Sequence, residues 1–231
     1  MLAFVDESKR VVGGEKTISI GFFVTNSFQA AYGCLINGYR GILRKYSIKL
    51  RDREIKFSTL LHCLATRIGV LSERDINLIF RPIVHKLSSF GYSIAFVSNQ
   101  YIEFNIIPVV GECLNILKTP RTLRKIRKRV GNMGFRPSKR ILSLFSMLLL
   151  VHKTHGVGRL IIDKGFIDKK SLSFMREAID MLKLNLNISI CRPEQEKGIT
   201  LADFVSGYSR YADPTKIHLH TNDILIFRKT S

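Results

Sequence analysis

The sequence predicts an α/β protein whose mixed β-sheet is flanked by helices. Short apolar segments rich in β-branched and aromatic residues alternate with longer segments of helical periodicity. Strand-like segments also occur near both ends of the chain, as expected if the whole chain builds one sheet. With 231 residues, 45% of them hydrophobic, the chain suits a single domain over residues 1–231.

The first part of the chain predicts a hairpin and then a helix. Residues 2–6 and 17–24 have strand composition, and Gly13-Gly14 lies in the turn between them. A helix is predicted over residues 27–46, and EIKFS at 54–58 predicts a short strand or a strand edge.

The middle of the chain predicts a helix, a strand and a helical insertion. Ser72 followed by Asp75 begins a helix that Pro82 could kink, and YSIAFVS at 92–98 predicts a strand. Residues 100–157 exceed what one crossover helix requires, which predicts an inserted helical subdomain.

The last part of the chain returns to alternating strands and helices. Strands are predicted at 158–165, at 186–191 and, near the end, at 223–229. An amphipathic helix is predicted over 168–185 and a further helix over 198–212.

The charge balance favours a polyanionic partner. The formal net charge is +19, and such an excess is typical of proteins that bind nucleic acid. The four cysteines form no C-x-x-C pair, so they predict buried thiols rather than disulfides or a zinc site. The longest apolar run is too short to span a bilayer, and we expect a cytoplasmic protein without a membrane segment.

Acidic residues stand at positions where an unpaired carboxylate is costly. Asp6 follows LAFV, Asp163 follows LII, and Asp203 lies within TLADFV on a predicted helix, while Glu54 opens EIKF. Such carboxylates need a basic side chain, backbone N–H groups or a metal ion as partner. Three or four of them together suit a site for two divalent ions astride a scissile phosphate.

Each of these acids also has a structural alternative close by. The alternatives are a turn cap by Asp6 or its pair with Lys9 or Arg10, an Asx turn of Asp163 before Gly165, a pair of Asp203 with Arg210, and a surface pair of Glu54 with Arg51, Arg53 or Lys56.

The segment 118–140 contains ten Lys or Arg residues and no acid. Leu123, Ile126 and Val130 recur at helical spacing, so one side of a helix can pack while the other carries the charges. This composition predicts a clamp for the nucleic-acid backbone, or alternatively a solvated helix or a surface for an acidic protein. The predicted nucleic-acid-binding residues are Arg121, Arg124, Lys125, Arg127, Lys128, Arg129, Arg136, Lys139 and Arg140.

Four short motifs occur in an order that resembles the domain-of-unknown-function 3800 (DUF3800) family, over nearly the whole chain. They are FVDES at 4–8, EIK at 54–56, LIIDKG at 160–165 and LADFVSGY at 201–208. The resemblance implies a ribonuclease H-like mixed sheet and a metal-dependent nuclease that uses Mg²⁺ or Mn²⁺, as is suspected of family members. It also implies a metal site of Asp6, Glu54, Asp163 and Asp203, with Lys56 close by.

Two positions bear on that pattern. Thr200 stands where family members usually have a glutamine. Glu7 could be a metal ligand in place of Asp6 or beside it. Neighbouring side chains on a strand face opposite sides, so only one of the two can point into the site unaided.

Two other classes of function fit the same sequence. The protein could bind nucleic acid without cleaving it, or it could be a regulatory or structural partner in a mobile-element or defence complex. Dependence on a metal ion would distinguish the nuclease from both.

Overall fold

The computed structural model describes residues 1–12, 15–49, 56–104, 107–192, 195–211 and 225–228. The strands are β1 (Leu2–Val12), β2 (Glu15–Thr25), β3 (Gly91–Ser98), β4 (Arg159–Asp163), β5 (Asn187–Cys191) and β6 (Leu225–Arg228). The helices are α1 (Phe28–Lys45), α2 (Phe57–Ile68), α3 (Glu73–Leu87), α4 (Pro108–Lys118), α5 (Pro120–Val130), α6 (Lys139–His155), α7 (Lys169–Met181) and α8 (Ile199–Tyr208).

The strands form one mixed sheet in the order β5-β4-β1-β2-β3-β6. β1, β2 and β3 pair antiparallel, whereas β4 runs parallel to β1, β5 parallel to β4, and β6 parallel to β3. The predicted mixed α/β architecture is therefore confirmed.

Helices cover both faces of the sheet. On one side, here called the α6 face, strand residues such as Val5 and Leu160 pack with α4, α5, α6 and α7. On the other side, the α8 face, strand residues such as Phe4 and Phe23 pack with α1, α2, α3 and α8. Alternate residues of each strand serve the two faces, and burial of their apolar side chains is the main force that holds the layers together.

Two segments differ from the sequence prediction. β1 and β2 run further than expected, to Val12 and from Glu15, so Asp6 lies inside a strand and not at its end. The second difference is at 56–58, the described part of the strand predicted at 54–58: Lys56 is the N-cap residue of α2 and Phe57 begins the helix, so the strand prediction is wrong for 56–58. Residues 50–55, including Glu54, lie outside the described residues, as does the Gly13-Gly14 turn.

The remaining helices follow the prediction closely. Ser72 and Asp75 form a reciprocal capping box at the start of α3, which contains Pro82. Three helices, α4 to α6, lie between β3 and β4, and α6 is mostly buried. None of the helices in the described ranges is long and apolar enough to cross a membrane.

Candidate active site

The register of the sheet aligns Asp6 with Asp163. The last parallel pair between β1 and β4 is Val5 with Ile162, so the two acids follow at the same level of neighbouring strands. Such strands lie about 4.8 Å apart. Each acid is two residues after an apolar residue of the α8 face, Phe4 or Ile161, and therefore projects to that face.

A glycine brings α8 onto the sheet beside these acids. Gly21 is the cross-strand partner of Asp6 on β2. A Cβ atom on Gly21 would lie 2.4 Å from the backbone nitrogen of Ser206 and 2.8 Å from the carbonyl oxygen of Ala202. The backbone of α8 thus contacts the strand directly, and Asp203 lies on this turn of the helix.

The start of α2 fixes the orientation of Asp203. The backbone N–H of Phe57 donates to Oδ2 of Asp203 at 2.9 Å. This N–H is one of those that a helix leaves without an internal partner at its first turn, where the helix dipole also favours a negative charge. The exposed Lys56 caps the same helix.

The charges of Asp203 and Asp163 act on the carboxyl group of Asp6. The pKa of Asp6 is raised to about 8, first by burial and then by the negative charges of Asp203 and Asp163. The N–H of Glu7, which donates to Oδ1 of Asp6 at 2.7 Å, and the charge of Lys56 oppose these effects. Without a cation, these influences favour the protonated form of Asp6, and a bound cation would favour its ionised form.

Tyr39 is a further polar group beside Asp203. Its side chain is fully buried on α1, and burial together with the charge of Asp203 raises the pKa of its hydroxyl. This hydroxyl has no hydrogen-bond partner within the described residues. A buried hydroxyl usually has one, so this position offers a polar atom for a bound water or ligand.

Asp163 takes part in the turn that was its structural alternative. The N–H of Gly165 donates to Oδ2 of Asp163 at 3.1 Å. This bond is compatible with a role in the site, because a carboxylate has about four lone-pair directions.

The donor set fits a hard divalent cation in kind. Carboxylate oxygens are the ligands that Mg²⁺ and Mn²⁺ prefer. Within the described ranges, no group of three or more His, Cys, Asp or Glu side chains is arranged to hold a metal ion. Glu54, the fourth predicted ligand, lies outside these ranges.

Glu7 occupies the opposite face of β1 and is neutralised there. Its side chain is 6% exposed and pairs with Lys9 at 2.6 Å and with Arg140 at 2.8 Å. The hydroxyl of Tyr101 also donates to it, at 2.6 Å. Glu7 therefore anchors α6 to β1 and does not face the other acids.

The predicted nucleic-acid-binding residues form an engaged set and an exposed set, and Arg129 belongs to both. Three are engaged within the protein: Arg127 donates to the carbonyl of Phe135, Arg129 pairs with Glu177, and Arg140 pairs with Glu7. Exposed side chains are those of Arg121, Arg124, Lys125, Lys128, Arg129, Arg136 and Lys139. Helix α5 packs against α7 on the α6 face, so the sheet separates it from the acids.

Several of these features have no local signal in the sequence. Only tertiary contacts bring Tyr39 and the N–H of Phe57 to Asp203 and give Glu7 its partners. Gly21 is the exception, since a glycine inside a strand often marks a close backbone approach. Thr200 is buried in the first turn of α8.

Comparison with protein-family models, with curated proteins and with solved structures found no match.

Proposed function

We propose that the protein is a divalent-metal-dependent nuclease with a ribonuclease H-like fold, related to the DUF3800 family. The observation that carries the proposal is the position of Asp6 beside Asp163 on neighbouring strands, near enough to Asp163 and Asp203 for their charges to raise its pKa. Sheet order supports the fold: an antiparallel β1-β2-β3 unit continues into parallel β4 and β5, with the acids at the β1–β4 junction.

In this proposal the acids hold the cations. Asp6, Asp163 and Asp203, with Glu54 as a fourth ligand, would bind Mg²⁺ or Mn²⁺, in all two ions. When bound, such ions lower the pKa of a coordinated water and stabilise negative charge on the leaving oxygen. The backbone N–H of Phe57 would keep the carboxylate of Asp203 in place, so this metal ligand would already be ordered before the substrate binds.

Lys56 would contribute a positive charge at the mouth of the site. It is exposed and lies within electrostatic range of Asp6. We propose that Lys56 orients the scissile phosphate or modulates the charge state of Glu54. The exposed basic residues of α5 would add affinity for the nucleic-acid backbone from the other face.

The test combines metal binding with cleavage. Wild type and Asp163→Asn are compared by the shift of melting temperature with Mn²⁺ and by cleavage of end-labelled RNA, DNA and hybrid. Asparagine can still accept the N–H of Gly165, so the turn is kept while a charged ligand is removed. Asp180→Asn, an exposed acid on α7, is the matched control.

We expect Mn²⁺ to stabilise wild type and the control, because a ligand that binds only the folded state raises its stability. Asp163→Asn should lose most of that shift and all cleavage. If wild type gains no stability from Mn²⁺ or Mg²⁺ and cleaves none of the substrates, the proposal is wrong.

The second candidate is a nucleic-acid-binding protein without catalysis. The exposed charges of α5 favour it independently of the acids, because they require no metal ion to attract phosphates. Salt-dependent binding in EDTA, with no cleavage under any metal condition, would favour this candidate over the nuclease.

A further inference from the structure

A row of side chains leads along β1 away from the acids. Asp6, Ser8 and Arg10 alternate with residues of the other face and therefore all project to the α8 face. Four residues of strand span roughly 13 Å. Arg10 thus stands on the same face of the sheet as Asp6, Asp163 and Asp203, which are here called the acidic centre.

Arg10 and Arg210 share one aromatic platform. The guanidinium carbon of Arg10 lies 4.5 Å from the centre of the Tyr211 ring, and that of Arg210 lies 5.5 Å from it. Tyr211 is 8% exposed, and its carbonyl accepts a hydrogen bond from Nδ2 of Asn77 at 3.1 Å. Asn77 in turn accepts from the hydroxyl of Tyr208 at 2.7 Å, so α3 holds the platform in place.

The guanidinium groups of Arg10 and Arg210 differ in their hydrogen bonds. Arg210 donates from Nη1 to the carbonyl of Lys9 at 2.8 Å, and the charge of Asp203 favours its protonated form. The side chain of Arg10 is half-buried, and within the described residues it makes no hydrogen bond or ion pair besides its contact with the ring. Its donors are therefore available to a ligand.

The surroundings of Arg10 and Arg210 favour the binding of an anion. Burial lowers the pKa of Arg210, and the nearby charge of Arg10 lowers it as well. Two like charges held together in a partly desolvated place repel each other, and an oxyanion between them would relieve that repulsion. Guanidinium groups also match the geometry of phosphate oxygens with two parallel hydrogen bonds.

We propose that Arg10 and Arg210, on the ring of Tyr211, form a subsite for a backbone phosphate of a nucleic-acid strand that lies along β1 from the acidic centre. The proposal rests on the proposed function in that it takes nucleic acid as the ligand. It adds a phosphate contact on the face of the acids, which α5 cannot supply because it lies behind the sheet.

The test uses the full chain and a labelled single-stranded oligonucleotide, of RNA and of DNA. Arg10→Ala removes the donors, and Arg10→Lys keeps the charge but not the paired geometry. Arg210 is left unchanged because its hydrogen bond to Lys9 also joins the segment that follows α8 to β1. Arg81→Ala, an exposed arginine of α3, removes the same charge elsewhere on this side of the sheet and is the control.

Affinity is measured in EDTA at several salt concentrations, and cleavage in Mn²⁺. We expect Arg10→Ala to weaken binding about tenfold, as for the removal of one hydrogen bond to a charged group. Arg10→Lys should lie between Arg10→Ala and wild type, and Arg81→Ala should stay within about twofold of wild type. Melting temperatures identify any variant that fails to fold, and Arg10→Lys retains the stem that packs on the ring.

The outcomes separate the two proposals. If no variant cleaves but Arg10→Ala still weakens binding, the subsite stands and the nuclease does not. If wild type cleaves and Arg10→Ala binds and cleaves like the control, the nuclease stands and the subsite is wrong. Poly-glutamate is titrated in parallel as a probe for acidic proteins. If Arg10→Ala weakens the binding of poly-glutamate and not that of the oligonucleotides, the pair serves an acidic protein, which also overturns the subsite.

Discussion

The backbone N–H of Phe57 donates to the carboxylate of Asp203 at 2.9 Å and so joins α2 to α8 at the acidic centre. The same two helices are in close contact beyond this bond, since a Cβ on Gly207 would lie 2.4 Å from the ring of Phe57. On its other side α8 contacts β2 at Gly21. The position of Asp203 is therefore set by two glycine contacts, one to the sheet and one to α2.

Replacement of Gly21 by alanine should displace α8. The added methyl group would overlap backbone atoms of Ser206 and Ala202, which cannot move by a rotamer change. We expect a decrease of about 1–3 kcal/mol in the free energy of unfolding, measured in urea. Gly33→Ala in α1 is the control, because a Cβ there has nothing within 4 Å and should be neutral or stabilising by up to about 1 kcal/mol. Equal effects of the two substitutions would contradict the close contact.

Asp6 should give the metal-free protein a characteristic pH dependence. Its pKa of 3.8 in the unfolded chain rises to about 8 in the fold. The folded state therefore holds a proton that the unfolded state has released in this window, and stability falls as pH rises between the two values, by up to about 1.4 kcal/mol per unit. Asp6→Asn cannot ionise and lacks this contribution.

The measurement is urea unfolding of both proteins in EDTA at about pH 5 and about pH 7.5, within that window. The difference in stability should move in favour of Asp6→Asn at the higher pH. Mn²⁺ should reduce the pH dependence of wild type, because a cation replaces the proton. A difference that is the same at both pH values would show that Asp6 is ionised throughout.

Glu7 should be a structural residue, although it is adjacent to Asp6. Glu7→Ala leaves Arg140 partly buried without its carboxylate, while the Nε of Arg140 already has no hydrogen-bond partner within the described residues. We expect a decrease of about 3 kcal/mol or more in the free energy of unfolding. Glu103→Ala breaks a more exposed pair with Lys118 and should cost less than about 1 kcal/mol. A stable Glu7→Ala protein that binds Mn²⁺ poorly would instead make Glu7 a ligand.

The sequence predicts much of the layer arrangement because hydrophobic periodicity is a local property. It also ends the first strand too early, because polar residues follow Asp6. In the structure, those residues are paired in three dimensions: Glu7 with Lys9 and Arg140, and Arg10 with Tyr211. No local sequence pattern reveals such partners. The polar residues after Asp6, which lie inside β1, therefore look like a turn in the sequence.

Helix α2 shows the opposite kind of error. Its apolar residues recur at helical spacing, as Phe57, Leu60 and Leu64, all fully buried. The preceding EIK motif suggested a strand, and that local signal prevailed over the periodicity that follows it. For the acids, the sequence identifies residues with unusual surroundings, but their convergence depends on strand register and on Gly21, which are tertiary features.

The last prediction concerns the exposed basic side of α5. Reversal of charge at Arg124, Lys125 and Lys128, all exposed, should lower the affinity for nucleic acid. The slope of log affinity against log salt should become shallower by about 0.7 to 0.9 for each phosphate that the variant no longer neutralises. Cleavage at saturating substrate should persist, because the acids lie on the other face of the sheet.

The control reverses Arg40, Arg44 and Lys45 of α1, which are exposed on the α8 side. Equal decreases in the two triple variants would reflect net charge alone, and an unchanged affinity in the α5 variant would make α5 a solvated helix or a surface for an acidic protein.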